Sequence, residues 1–373
     1  MRDDYHHMRP SLVQKIDYSI SVLKKAEPLA LKYDGENGFH LAFSGGKDSQ
    51  CLYHVAQLAG VRFKAHFSPT SIDPPQLIRF LRTHYPDVEF GKLEKSIYQV
   101  ATEKKILPSS TVRWCCAEFK EMAGAGKVTL IGIRHAESAR RKRRNEFEAS
   151  GHKFSGNYEE FLQWQQKQIE KIKKRHRNIN HDEFSIDKES EIKCVNGKDS
   201  ILVSPIIYWE EKDVWDFLNG MEIEHCELYD NGYKRIGCIL CPMSSRENKR
   251  REDNDFPHVK RNWIKAIKCI RNGTDFFGKP LGGSLPPLSK TGRPTLRSDY
   301  PPLTRKTRPT KEPTMGYGEF SGIPASDASP VQGVNMTEDE IAEAIYDWWV
   351  SGKAYKVWYA ENYLQQRLDF GEY

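Results

Sequence analysis

Six residues near the start of the chain limit most sharply what it can fold into. They are Ser44-Gly45-Gly46-Lys47-Asp48-Ser49, and they follow His40-Leu-Ala-Phe43. The apolar run Leu41 to Phe43 reads as a short buried strand, and Gln50 to Leu58 carries apolar residues at helical spacing. Strand, glycine loop and helix start together aim backbone N–H groups and the positive end of a helix at an anion. Two glycines let the backbone approach phosphate closely, and Lys47 adds a point charge. The G-x-x-x-x-G-K-[ST] spacing is absent, so this is not a Walker A loop. The plainer reading is a glycine turn before a helix capped by Asp48 or Ser49.

Around this unit the pattern alternates between strands and helices. Leu12 to Leu31 has helical spacing (Leu12, Ile16, Ile20, Leu23, Leu29). Val61 to Phe67 reads as a second strand, with a loop at Ser68 to Pro75, a helix over Gln76 to Thr83 and an extended piece at Val88 to Phe90. Val128 to Ile133 is a compact apolar run of the kind buried in parallel sheets. The sequence therefore predicts an α/β fold, a doubly wound and mostly parallel sheet, with a charged helical insertion and a C-terminal helical extension. In such sheets ligands sit at the carboxyl ends of strands, where the glycine loop falls.

The expected organisation is a core domain over 1–275, carrying the charged insertion at about 139–199. A linker rich in Pro and Gly, expected to be flexible, follows over 276–335, and a small helical module over 336–373. Phe161 to Lys174 reads as a helix within the insertion, and Trp209 to Leu218 as a helix back in the core. A second Gly-Lys-Asp-Ser at Gly197 to Ser200 lacks a preceding strand and reads as a turn. The last module opens with a Thr337-x-x-Glu340 capping pattern and is expected to run helical to Leu368. Its many aromatics suit a docking core.

The chain has 373 residues and a net charge of +6. Between Arg134 and Arg177 stand 13 Lys and Arg against 6 Asp and Glu, so this stretch alone carries more than the whole net charge. A polyanionic partner or a solvated helix face would account for it. No apolar run reaches the roughly 18 residues of a membrane span. The polar N-terminus lacks a signal-peptide core, and a cytoplasmic, non-membrane protein is expected.

In a reducing compartment clustered cysteines read as metal ligands or reactive thiols. Two pairs stand out among the eight: adjacent Cys115 and Cys116, and Cys238-Ile-Leu-Cys241. Four thiolates could hold zinc or a [4Fe–4S] cluster. Adjacent cysteines suit a cubane, whose iron corners are spread, better than one tetrahedral ion. Buried free thiols are the plain alternative, and the default for Cys51, Cys194, Cys226 and Cys269.

Four segments, in order from about residue 40 to 245, share one resemblance. Ser-Gly-Gly-Lys-Asp-Ser looks like a pyrophosphate-binding loop (PP-loop). Gly132-Ile-Arg134-His-Ala-Glu137-Ser138 and the arginines after it resemble a G-x-R-x-x-E-S-x-x-R element. Ser204-Pro-Ile-Ile-Tyr-Trp-Glu-Glu-Lys-Asp-Val-Trp resembles P-L-x-x-W-x-x-x-D-V-W, and Leu228 to Pro242 is similar to L-Y-x-x-G-x-x-R-I-G-C-x-x-C-P. The chain resembles the phosphoadenosine phosphosulfate (PAPS) reductase family of the PP-loop adenine nucleotide alpha-hydrolase superfamily. Its cysteine pattern is that of the iron–sulfur branch, which includes adenylyl-sulfate reductases and DndC-like ATP pyrophosphatases of DNA phosphorothioation.

The resemblance implies that Ser44, Gly45, Gly46, Lys47, Asp48 and Ser49 cradle nucleotide phosphates. Arg134 would reach a phosphate or sulfate, Glu137 and Ser138 would shape the nucleotide pocket, and Asp73 would contact substrate or metal. Lys47, Asp48 and Arg134 form the implied catalytic set. Cys115, Cys116, Cys238 and Cys241 would ligate a [4Fe–4S] cluster, or zinc. Arg113, Arg140 and Arg141 add nearby positive charge.

The family's reductases attack sulfonucleotides with a cysteine in a Glu-Cys-Gly-x-His motif, and this sequence has none. The leading expectation is an ATP pyrophosphatase that binds ATP with Mg2+ and adenylates an acceptor, DNA or RNA among them, for cluster-assisted sulfur transfer. A cysteine desulfurase would then be the sulfur donor. The alternatives are a reductase of adenylyl sulfate or PAPS, and a non-catalytic nucleotide-binding subunit.

Overall fold

Proline starts the first helix without cost, because its missing N–H would have had no partner there. That helix, α1 (Pro10–Tyr33), buries Leu12, Ile16, Leu23, Ala26 and Ala30 along one stripe. The apolar run after it forms β1 (Phe39–Ala42), and the glycine loop leads directly into α2 (Lys47–Ala59). Gly60 ends α2 in the left-handed region, φ +67. This computed structural model describes residues 4–120, 123–149, 154–175, 201–281 and 337–353.

The following elements are β2 (Phe63–Phe67), α3 (Pro75–His84), β3 (Glu89–Phe90), α4 (Ile97–Lys104), α5 (Trp114–Phe119) and β4 (Val128–Leu130). Next come β5 (Phe147–Ala149), β6 (Phe154–Gly156), α6 (Tyr158–Arg175), β7 (Ile201–Val203) and α7 (Glu211–Gly220). The last are α8 (Arg246–Asp255), α9 (Pro257–Arg271) and α10 (Glu338–Ser351).

The seven described strands form one sheet in the order β3-β2-β1-β4-β7-β5-β6. The pairs β3–β2, β2–β1, β1–β4 and β4–β7 are parallel. Only the β5–β6 hairpin runs antiparallel, pairing β5 to β7. The expected α/β fold with a mostly parallel sheet is therefore present. The chain winds outward from β1 through β2 to β3, then returns to β4 on the other side of β1. Loops leaving β1 and β4 consequently part in opposite directions, and the crevice between them is the sheet's switch point. Phe39, Leu41, Val128, Leu130 and Val203 are fully buried, as expected for strands covered on both faces.

Two compact units make up the chain: Met1–Glu94 with Arg113–Cys241, and Lys95–Val112 with Pro242–Tyr373. The first holds the sheet. The second is helical, and Trp263 of α9 lies at its centre, fully buried, with Tyr98 of α4 at 5.0 Å and Trp349 of α10 at 4.9 Å between ring centroids. Thr337 and Glu340 form the expected capping box. The helix stops at Ser351, where Gly352 takes φ +62, and the rest of the expected helical run, from 354 to Leu368, lies outside the described residues. Most of the expected insertion tail (176–200), with its second Gly-Lys-Asp-Ser, and most of the expected linker (282–336) also fall outside them. Among the described residues, no helix is long and apolar enough to cross a membrane.

Candidate functional site

The loop after β1 is built so that a side chain could not replace Gly45. Gly45 has φ +72, and a Cβ there would stand 2.6 Å from Leu81 Cδ2 and 2.8 Å from Leu77 Cδ1 of α3. The two serines tie the loop to the helix it opens. Ser49 Oγ donates to the Gly46 carbonyl at 2.9 Å and accepts the Ser44 N–H at 3.2 Å. Ser44 Oγ lies 3.1 Å from Ser49 Oγ. The first amide of α2, on Lys47, donates to the Tyr229 hydroxyl at 2.9 Å. Across the switch point, a Cβ on Gly132 would come within 3.0 Å of the Asp48 carbonyl, so the segment after β4 lies directly against the start of α2.

Four charged side chains close a ring on this junction. Arg134 Nε donates to Asp48 Oδ1 at 2.6 Å, and its NH2 to Glu211 Oε2 at 2.7 Å. Lys47 Nζ stands 3.4 Å from Glu211 Oε1 and 3.7 Å from Asp48 Oδ2. It also donates to the Lys234 carbonyl at 3.1 Å. The Arg134 side chain is 2% exposed and that of Glu211 56%, so the ring is rooted in the core and opens to solvent at Glu211. Desolvation pushes the Glu211 carboxyl up, but the hydrogen bond from Arg134 and the charge of Lys47 overcome it and hold the group below its ordinary value.

The structure therefore brings Lys47, Asp48 and Arg134 together. It gives Arg134 two carboxylate partners within the chain. Glu137 and Ser138 are placed as builders of the turn that follows Arg134. Glu137 accepts the Arg134 backbone N–H at 2.9 Å and pairs with Arg141, while Ser138 Oγ accepts the Arg141 N–H at 3.2 Å. Asp73 accepts the Thr70 N–H at 2.6 Å, and burial raises its carboxyl above the ordinary value. Two residues outside the expected set join the site: Glu211, at the start of α7, and Tyr229. Both lie within segments whose motifs were legible, yet nothing local marks their long-range partners.

Asp73 and the cysteines share a neighbourhood. Ile239 N–H donates to the Ile72 carbonyl at 2.8 Å, which brings the Cys238 segment beside the Asp73 loop. Cys238 Sγ accepts from Lys120 Nζ at 3.1 Å and lies 3.5 Å from Thr70 Oγ1. Arg113 donates to Cys116 Sγ at 3.2 Å. The Cys115 thiol feels Cys116, Cys241 and Cys238, and its pKa is raised, first by its hydrogen bond with Cys116. Cys116 is correspondingly lowered, by that same bond and then by Arg113. The Lys120–Cys238 contact thus sets the two cysteine segments side by side, and cations sit against two of the sulfurs. The donor chemistry fits a thiolate-bound group. Among the described residues, however, no three Cys, His, Asp or Glu side chains are arranged around a point that would hold a single metal ion. Cys51, Cys226 and Cys269 are buried, as expected for packing thiols.

Comparison with known proteins bears on this geometry. Residues 38–244, more than half of the chain, match the family model of the phosphoadenosine phosphosulfate reductase domain. An uncharacterized protein of Methanocaldococcus jannaschii is 21% identical over 269 residues, covering 71% of this chain and 56% of that protein. An adenosine 5'-phosphosulfate reductase of Oceanobacillus iheyensis is 48% identical over 42 residues, 11% of this chain and 18% of the reductase. The chain thus spans little more than half the length of the first relative and under a fifth of the second. Among solved structures, an FMN adenylyltransferase of Candida glabrata in complex with FAD and inorganic pyrophosphate aligns at a TM-score of 0.37 and 15% identity. The alignment covers 62% of this chain and 63% of that one, a likeness too low to carry an argument. With its glycine loop at the switch point and the family match spanning the whole sheet-bearing segment from β1 to Cys241, the chain belongs to the phosphoadenosine phosphosulfate reductase domain family.

Proposed function

We propose that the chain is an ATP pyrophosphatase that adenylates an acceptor for sulfur transfer. One observation carries this reading: Ser44 to Ser49 lie at the carboxyl end of β1, at the switch point, with Lys47 buried at the start of α2 and linked to Arg134 across the crevice. In the proposed reaction the Mg2+-bound triphosphate of ATP lies along the loop. An acceptor oxygen bonds to the α-phosphorus, the bond from that phosphorus to the bridging oxygen breaks, and pyrophosphate leaves with the electron pair. Backbone N–H groups of the loop and the Lys47 ammonium take up the charge that grows on the leaving group. Arg134 holds Asp48, and through it the first turn of α2, at fixed register.

Cys115, Cys116, Cys238 and Cys241 would hold the [4Fe–4S] cluster, with zinc on the same four sulfurs as the alternative. When bound, the cluster supplies a relay for sulfur or electrons. A protein persulfide of the cysteine desulfurase class fits as the sulfur donor, and a cytoplasmic location fits the half-buried free thiols.

Reduction of adenylyl sulfate or PAPS is the second reading, favoured by the local identity to the Oceanobacillus iheyensis reductase. It needs an accessible thiolate, whereas Cys269, which follows Cys241 in the chain, is only 9% exposed on α9. The two readings separate in one experiment. Anaerobically purified protein is given ATP with Mg2+, or adenylyl sulfate or PAPS with thioredoxin. Pyrophosphate from ATP supports the first reading; sulfite from the sulfonucleotides replaces it with the second.

A further inference from the structure

A surface adjoining the site combines unpaired positive charge with exposed aromatic rings. Residues 140–144 are Arg-Arg-Lys-Arg-Arg, five cations in a row. Two of them are spoken for: Arg141 pairs with Glu137, and Arg144 with Glu148. The side chains of Arg140, Lys142 and Arg143 stand exposed and form no ion pair among the described residues. The turn is rigid, since Lys142 and Arg141 donate their N–H groups back to the Ser138 carbonyl and Arg144 to that of Arg141.

His135 joins this turn to the aromatic part. Its Nε2 lies 2.7 Å from the Arg144 carbonyl, and its ring meets Tyr208 edge-on at 5.2 Å. Tyr208 in turn lies 5.9 Å from Tyr18, and the two rings are 43% and 45% exposed. Tyr18 is held in place by its hydroxyl, which donates to the buried Glu146. The His135 N–H donates to the Ile207 carbonyl, so the surface starts one residue beyond Arg134.

Cations on a hydrogen-bonded turn beside exposed, neighbouring rings are poorly explained as a solvated face, which has no need of tyrosines kept half out of water. Both features are what a single strand of nucleic acid recognises: phosphates take the cations and unpaired bases stack on the rings. A duplex would use the charge but leave the rings idle. An anionic membrane would want apolar side chains rather than tyrosines anchored by a hydroxyl. We propose that Arg140, Lys142, Arg143, Tyr208 and Tyr18 form a docking surface for single-stranded nucleic acid, which delivers the acceptor to the nucleotide site. This rests on the adenylation reading above for its purpose, though not for the binding itself.

The test is fluorescence anisotropy with a labelled 20-nucleotide single strand, as DNA and as RNA, beside the matching duplex and anionic vesicles. Full-length protein is titrated over a range of salt. Binding is expected to be tightest for a single strand, and the DNA and RNA arms distinguish the two sources of that chemistry. For a single strand, log affinity falls with log salt by about 0.7 for each phosphate neutralised. The variant with Arg140→Gln, Lys142→Gln and Arg143→Gln should therefore flatten the slope by roughly 2. Tyr208→Ala should weaken binding about tenfold at an unchanged slope. ATP binding, measured on the same samples, reports folding and the separate reading. No binding to a single strand, an unchanged slope in the triple variant, or preference for duplex or vesicles overturns the surface even if ATP still binds. Single-strand binding without ATP binding keeps the surface and overturns the adenylation reading.

Discussion

Arg134 Nε donates to Asp48 Oδ1 at 2.6 Å, joining the segment after β4 to the first turn of α2 across the sheet's switch point. The contact spans the two loops that part there, so it fixes the width of the crevice. Removing the guanidinium would leave Asp48 and Glu211 with Lys47 as their one shared cation, at the longer distances of 3.7 and 3.4 Å. Arg134→Ala is expected to lower stability by about 3 kcal/mol, as for other broken buried ion pairs. Urea unfolding measures this; a loss below about 1 kcal/mol would show that the pair contributes little.

Glu211 has the opposite effect on ligands, because it neutralises Lys47 and Arg134 from the solvent side. Replacing its charge while keeping its shape leaves more positive potential for a phosphate. Glu211→Gln is expected to tighten ATP binding about threefold or more. Isothermal titration at low salt checks it, and weaker binding would make Glu211 a contributor to the ligand site.

Gly45 tests the loop's backbone. At φ +72, with two leucine methyls within 3 Å of where a Cβ would stand, alanine must both strain the chain and push the Leu77 and Leu81 side chains aside. Gly45→Ala should cost about 2 kcal/mol and weaken ATP binding together. Gly60→Ala is the comparison. Gly60 has φ +67 but open space around it, so its substitution should cost less and leave ATP binding unchanged.

Two buried histidines set the acid side of stability. Burial lowers His40 to about 3 and His54 to about 4. His40 stacks on His66 at 4.5 Å, and His54 shares hydrogen bonds with Gln57 and Tyr85. Their folded values lie below the unfolded one near 6.5, so below that pH the unfolded chain takes up protons that the folded chain refuses. Stability should be full above pH 6.5 and fall by about 1.4 kcal/mol per pH unit for each histidine down to about pH 4. His40→Gln should make the fall shallower; an unchanged slope would remove His40 from this role.

How much of this was legible in the sequence depended on the range of the interactions. The loop could be read because its signal is local: an apolar run, two glycines, then helical spacing. Strands β1, β2 and β4 were legible for the same reason, and α1 needed only its stripe. The β5–β6 hairpin was not, since its three-residue strands sit in a charged stretch and are specified by pairing with β7, more than 50 residues on. Helix α8 reads Arg-Glu-Asn-Lys-Arg-Arg-Glu-Asp-Asn-Asp and has no apolar period to find; the Ser245 cap was its one signal. Helix α4 was not expected either, although the Ser96 and Gln99 of its capping box stand at its start. In the site, Lys47, Asp48 and Arg134 carried motif signals, whereas the roles of Glu211 and Tyr229 exist only once β1, β4 and α7 have been brought together.

The most direct test of the account is pyrophosphate release from ATP and Mg2+ by anaerobic protein, supplied with single-stranded acceptor, for the native chain and for Lys47→Ala. The account predicts release by the native chain and a loss of at least about a hundredfold in the variant, with its urea midpoint little changed. Equal release by both, or none by the native chain while adenylyl sulfate yields sulfite, would contradict it.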